Sequence, residues 1–145
     1  MTRMRNPIKR EEGVAAVELA LVLPILFLIL FGVLEFGRVW SQYQLYQGAA
    51  REGARCAAVA SSSNCVVQTR INQASQPFTA SPTASQEIID SAGVPVSGGT
   101  RANGCLVTDK GKDIRVSWPQ QLNVDIPFWN NVTITTTIKA VFRCE

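Results

Sequence analysis

Hydrophobic positions divide this chain into two unlike parts. From Val14 to Leu34 the sequence is almost wholly apolar, and Glu18 is its only charge. Roughly 20 such residues span a bilayer core, and a soluble core helix rarely stays apolar on every side. The run predicts a transmembrane helix over 14–36. Pro24 lies inside it and predicts a bend that a membrane helix tolerates. A cleaved secretory signal would end in a small-x-small site. This run instead ends in Val33-Leu34-Glu35-Phe36-Gly37-Arg38-Val39-Trp40, bulky and charged. Beyond Glu35 the pattern becomes amphipathic and does not break until Ser61-Ser62-Ser63. Val39, Tyr43, Tyr46, Ala50, Gly53 and Ala57 recur at spacings of three and four, which predicts an amphipathic helical extension over 37–60. Glu35 with Arg38 and Glu52 with Arg55 are opposite charges at i, i+3. One continuous helix from Val14 to about Ala60 would measure on the order of 70 Å at ~1.5 Å per residue.

Small residues crowd the extension. Ala49, Gly53 and Ala57 form one ladder, and Ala50, Ala54 and Ala58 form another. Such ladders let helix backbones approach closely. They fit packing against other subunits and packing against the chain's own globular domain equally well.

From Ser61 to the end, residues 61–145, the composition shifts to Ser, Thr, Asn, Pro and Gly, as in an exported domain. Asn64 is a candidate cap for a short helix through about Ala74. A second short helix is predicted from Thr83 or Ser85 to near Gly93. Loops are expected at 75–82 and at 97–104. Strands are predicted at Cys105–Thr108, Ile114–Trp118, Val124–Phe128 and Val132–Cys144, with a hairpin turn at Asp109-Lys110-Gly111-Lys112-Asp113. The last strand, rich in β-branched residues, should be the longest. The fold class is therefore α+β: a long N-terminal helix whose outer half packs against short helices and a small antiparallel sheet.

Charge and composition narrow the chemistry. The chain has 145 residues and a net charge of +3. Four basic and two acidic residues of that total lie in residues 1–13, so the remainder is nearly neutral at +1. This is too little for a nucleic-acid partner. There is no histidine, which removes the usual general base and the commonest metal ligand. No nucleophile or metal constellation stands out, so neither enzyme, cofactor, metal nor small-molecule substrate is expected. Asp109, Asp113 and Asp125 lie in a turn and on separate strands, and with Lys110 and Lys112 read as a solvated hairpin tip. Trp118, Phe128 and Trp129 read as packing residues.

Cys56, Cys65, Cys105 and Cys144 all follow the apolar segment. None forms a C-x-x-C pair, which argues against zinc. An even number on one side of an anchor suggests an oxidising compartment. Four cysteines allow three pairings. The favoured one joins Cys56 to Cys65 across a short loop and Cys105 to Cys144, tying the last strand to an earlier one. Each bond typically contributes about 2–4 kcal/mol to a small domain.

Before the apolar run stands a short leader, residues 1–13, with Arg3, Arg5, Lys9 and Arg10. Positive charge on this side predicts a cytoplasmic N-terminus and an exported C-terminus. A charge within a membrane helix is a functional candidate by default. The order of charged leader, Gly13, Val14-Ala15-Ala16-Val17, Glu18 and greasy helix resembles a type IV prepilin. Gly13 to Pro24, then Phe31-Gly32-Val33-Leu34-Glu35-Phe36-Gly37-Arg38 and Ala49-Ala50-Arg51-Glu52-Gly53-Ala54-Arg55, together resemble the TadE-like family, minor pilin-like proteins of the bacterial tight-adherence (Tad, or Flp) pilus. The closing Ile138-Lys139-Ala140-Val141-Phe142-Arg143 fits loosely. The resemblance implies a single-pass protein of the bacterial inner membrane. It implies a prepilin peptidase cutting between Gly13 and Val14, and Glu18 pairing with the new N-terminal amine of a neighbouring subunit. Its partners would be other pilin-like subunits and the pilus assembly platform. An uncleaved membrane-anchored scaffold or adaptor of the same machine is the alternative.

Overall fold

The computed structural model describes residues 8–59, 65–80, 83–126 and 130–145. Its first element, α1, is a single helix of 51 residues, Ile8–Ala58, which continues through Pro24. From Gly13 to Leu34 almost every position is exposed, and only Leu23 is half-buried. The outer half behaves differently: Tyr46, Ala49, Ala50, Ala54, Ala57 and Ala58 are buried. α1 ends where its last carbonyls find donors from elsewhere in the chain. The Cys105 N–H donates to the Ala57 carbonyl at 2.8 Å and the Glu145 N–H to that of Ala58 at 3.3 Å. Those groups would otherwise be orphaned at a helix terminus.

A second helix, α2 (Val67–Ala74), lies across α1 and buries Val67 and Ile71. It has no cap of its own. Instead the Val67 N–H donates to Oδ1 of Asn103, 36 residues downstream, at 3.2 Å. The predicted cap Asn64 and the Ser61-Ser62-Ser63 cluster lie outside the described residues.

Four strands complete the domain: β1 (Ser85–Ile89), β2 (Pro95–Thr100), β3 (Asp113–Val124) and β4 (Val132–Arg143). They form one antiparallel sheet in the order β2-β1-β3-β4. β3 alternates strictly: Ile114, Val116, Trp118, Gln120 and Leu122 are buried, and the residues between them are not. This is the period-2 signature of a sheet with one covered face. That face lies on the outer half of α1, with Trp118 (1% exposed) and its cross-strand partner Ile138 at its centre. Trp118 donates from Nε1 to Oε1 of Gln120 at 3.0 Å, which satisfies both buried polar groups.

Several sequence expectations change. Ser85 to Gly93 is not a helix but β1 followed by a turn. Gln86 and Ile88 point into the core while Ser85 and Glu87 face outward, and β1 pairs with β3 from Ser85↔Ser117 to Ile89↔Asp113. The first half of the expected loop at 97–104 belongs to β2, and residues 101–104 are loop as expected. Cys105–Thr108 is not a strand: Val107–Asp109 forms a 3-10 turn, so no hairpin runs through Asp109–Asp113. The expected strand Ile114–Trp118 is longer than foreseen, because β3 continues through Pro119 to Val124; of the expected strand Val124–Phe128 only Val124 belongs to β3, Asp125 and Ile126 are not strand, and residues 127–128 lie outside the described residues. Proline is tolerated at position 119 because β1 stops pairing at Ser117, leaving one side of β3 without a partner strand. β4 is long as expected, equal to β3 at 12 residues. Phe128 and Trp129 lie outside the described residues.

Candidate functional site

The residues singled out by sequence fall into two groups on α1. Gly13, Val14 and Glu18 are exposed on the bare half of the helix. Val14 and Glu18 are four residues apart and so share one face. Among the described residues Glu18 has no hydrogen bond or ion pair.

Ala49, Ala50, Gly53, Ala54, Ala57 and Ala58, the two ladders, are all buried within the chain itself. The closest approach is at Gly53. A Cβ there would lie 2.4 Å from Cγ1 of Ile71 and 2.8 Å from its Cδ1, so α2 can seat only on a glycine. Gly32, Gly37 and Gly48 are the opposite case, with nothing within 4 Å of an added Cβ.

The domain is fastened to α1 at both ends of the contact. At the foot, Arg38 donates from Nε to Oε2 of Glu35 at 3.0 Å, and from Nη2 to Oδ2 of Asp125 at 3.0 Å and to the Asn123 carbonyl at 3.1 Å. The Asp125 N–H donates to Oε1 of Glu35 at 2.8 Å. The predicted Glu35–Arg38 pair is thus half of a bridge to the sheet. The other predicted pair, Glu52 and Arg55, is not among the ion pairs of the described residues; both side chains line a groove beside Cys56 and Cys65.

At the top, residues 101–112 fold over the end of α1. Asp109 is 1% exposed, not at a solvated tip. Arg101 grips it with two hydrogen bonds, Nε to Oδ2 at 2.6 Å and Nη2 to Oδ1 at 2.7 Å. The Leu106 N–H adds a third at 3.1 Å, and Lys112 Nζ stands 3.5 Å from Oδ1. The Arg101 hydrogen bonds hold the Asp109 carboxyl at about 2, below an ordinary 3.8. The same loop carries Cys105. Both disulfides pair as favoured from sequence, Cys56–Cys65 with Cα atoms 5.8 Å apart and Cys105–Cys144 at 5.9 Å.

Among the described residues, no group of three or more Cys, Asp or Glu could hold a metal ion. What the arrangement offers is mechanical: one bare apolar helix long enough to cross a membrane, and one domain stapled to its far half. Residues 13–55 match the family model described as TadE-like protein. The helix is TadE-like. The match begins at Gly13, spans Glu18 and the foot bridge residues Glu35 and Arg38, and ends three residues short of the end of α1. The likeness is to this helical segment, less than half of the chain. No curated protein and no solved structure matches the chain. The 85 residues beyond Ala60 are outside the TadE-like segment, so the sheet and its two clamps stand on the geometry alone.

Proposed function

We propose that this chain is a minor pilin-like subunit that assembles with other subunits of a Tad pilus. A single observation carries the reading: a TadE-like helix whose first half is bare, apolar and marked by one carboxylate, Glu18, while its second half is covered along one side by the chain's own domain. The bare half crosses the bacterial inner membrane with the basic leader in the cytoplasm. The domain and its two disulfides lie on the exported side, where such bonds persist. A prepilin peptidase cuts after Gly13 and frees the Val14 amine. That amine and Glu18 of an adjoining subunit pair in low dielectric, where opposite charges attract far more strongly than in water, and the pairing sets axial register. Desolvation takes back part of the gain, so the pair contributes register more than affinity.

The buried ladders bear on how subunits meet. Ala49, Gly53 and Ala57 are occupied by α2 and the sheet, so helix-to-helix contact falls to the exposed side of α1. Gly37 and Gly48 lie on that side with no steric reason for glycine within the chain. Each costs a helix interior roughly 0.5–1 kcal/mol relative to alanine.

Intact mass and N-terminal sequence, taken from membranes with and without the peptidase, test the reading. A peptidase-dependent start at Val14 supports it. An uncut chain in cells with active peptidase replaces it with a permanent membrane-anchored scaffold. Glu18→Ala is expected to insert normally, since it removes a charge from the apolar run, and to abolish assembly; normal piliation in that variant would overturn the role given to Glu18.

A further inference from the structure

We infer that the β3–β4 end of the domain is a second membrane contact, resting on the headgroup layer of the bilayer that α1 crosses. This rests on the reading of α1 as a membrane span. Val14 to Leu34 is 21 residues, or about 31 Å of helix at ~1.5 Å per residue. That matches a hydrocarbon core of about 30 Å. Glu35, the first charge beyond the run, therefore stands at the far edge of the core. Phe36 (69% exposed) and Trp40 (53% exposed) stack with centroids 6.1 Å apart, and Tyr43 continues the cluster. Exposed aromatic rings of this kind favour the headgroup level.

The sheet is brought down to that level by the foot bridge. As α1 rises from Glu35 to Ala58, β3 descends beside it. Cys105 and Glu145 bond to the top of the helix, whereas Asn123 and Asp125 bond to Arg38 and Glu35 at its base. Ile126 is the next residue along that descent and is 40% exposed. Val132, which opens β4 opposite Val124, is 45% exposed, and Ile134 next to it on the same face is 49% exposed. Apolar side chains left open at the height of Glu35 meet lipid rather than water. The occupant is the bilayer of the anchor itself, because the bridge sets these residues at the height where the apolar run ends. Two points of contact, the helix and the sheet's foot, would hold the domain at a set tilt above the membrane.

The test uses the full chain in phosphatidylethanolamine–phosphatidylglycerol vesicles, with nitroxide labels placed singly at Leu28→Cys, Ile126→Cys, Val132→Cys and Thr137→Cys. Intact mass confirms that both native disulfides remain closed. The ratio of collisions with oxygen to collisions with a water-soluble nickel complex reports depth. The inference expects a deep reading at position 28, an interfacial reading at 126 and 132 that is several-fold above position 137, and a fully aqueous reading at 137. A deep label at 28 with 126 and 132 as aqueous as 137 would overturn the inference and leave the anchor standing. An aqueous reading at 28 would overturn the anchor, and the inference with it.

Discussion

Replacing Asp109 should weaken the domain markedly. The carboxylate is 1% exposed and holds Arg101, itself 15% exposed at the side chain, through two short hydrogen bonds. Asp109→Ala leaves that guanidinium half-buried without its partner and frees the Leu106 N–H. Breaking a buried pair from one side costs about 3–5 kcal/mol; the partial exposure of Arg101 sets the expectation at the low end, about 3 kcal/mol. Acid titration gives a separate figure. A carboxyl at about 2 in the folded chain and 3.8 when unfolded contributes roughly 2 kcal/mol, since one pK unit is worth about 1 kcal/mol. The folded form is the stronger acid, so this stability is complete above about pH 5 and is lost as pH falls from about 4 toward 2. Urea unfolding of the full chain in detergent, followed by the near-ultraviolet signal of buried Trp118, reads both. Asp109→Ala should lower stability by about 3 kcal/mol at pH 7 and flatten the acid limb between pH 4 and 2. Arg101→Met in that background should recover part of the loss, because the stranded charge goes too. A cost below about 1 kcal/mol, or an acid limb unchanged in the variant, would refute a buried structural pair.

The other expectations concern packing and cross-links. Gly53→Ala should destabilise by about 1–3 kcal/mol because its Cβ meets Ile71, whereas Gly48→Ala should stabilise the isolated chain by up to about 1 kcal/mol through helix propensity; the two unfolding midpoints should move in opposite directions, and assembly should suffer in both if Gly48 sits at a subunit contact. Opening Cys56–Cys65, which spans 9 residues, should cost about 3 kcal/mol and opening Cys105–Cys144, which spans 39, about 4 kcal/mol. Paired Cys→Ser variants in the same denaturation assay measure both, and the longer loop should lose more.

The helix and the antiparallel sheet were legible because their signals are long. Twenty-one nearly unbroken apolar residues mark a helix long enough to cross a membrane, and the spacing of three and four from Val39 to Ala57 marked the buried side of α1. The short elements were misread where local chemistry and tertiary context disagree. Ser85-Gln86-Glu87-Ile88-Ile89 opens with a helix cap and carries a good helix former in Glu87, yet five residues are too few to establish a period. Pairing with β3 decided it. Asp109-Lys110-Gly111-Lys112 has ordinary turn composition, and nothing local says that Arg101 will reach across to bury the carboxylate. Pro119 argues against a continuous strand until one knows that β1 ends two residues before it. The foot bridge was half visible: Glu35 and Arg38 were a local pair, but Asp125 lies 87 residues from Arg38 in sequence. Such separations are beyond propensity and spacing.

Attachment at both ends of α1's outer half has a consequence for any assembly built from this chain. A domain held at one end could swing and expose the alanine ladders to a neighbouring helix. Here the foot is tied by Arg38, Glu35 and Asp125, and the top by the Cys105 and Glu145 N–H groups, with the Cys105–Cys144 bond beside them. Between these points Gly53 admits Ile71 at a distance no other residue would allow. Releasing the ladders would require breaking the top cap, the foot bridge and the core around Trp118 together. The outer half of the helix and the sheet therefore move as one body, and the adaptable surface is the bare stretch from Gly13 to Leu34. On the proposed reading, register between subunits is set low on the helix, where Glu18 stands, and the rigid upper body follows the position chosen there.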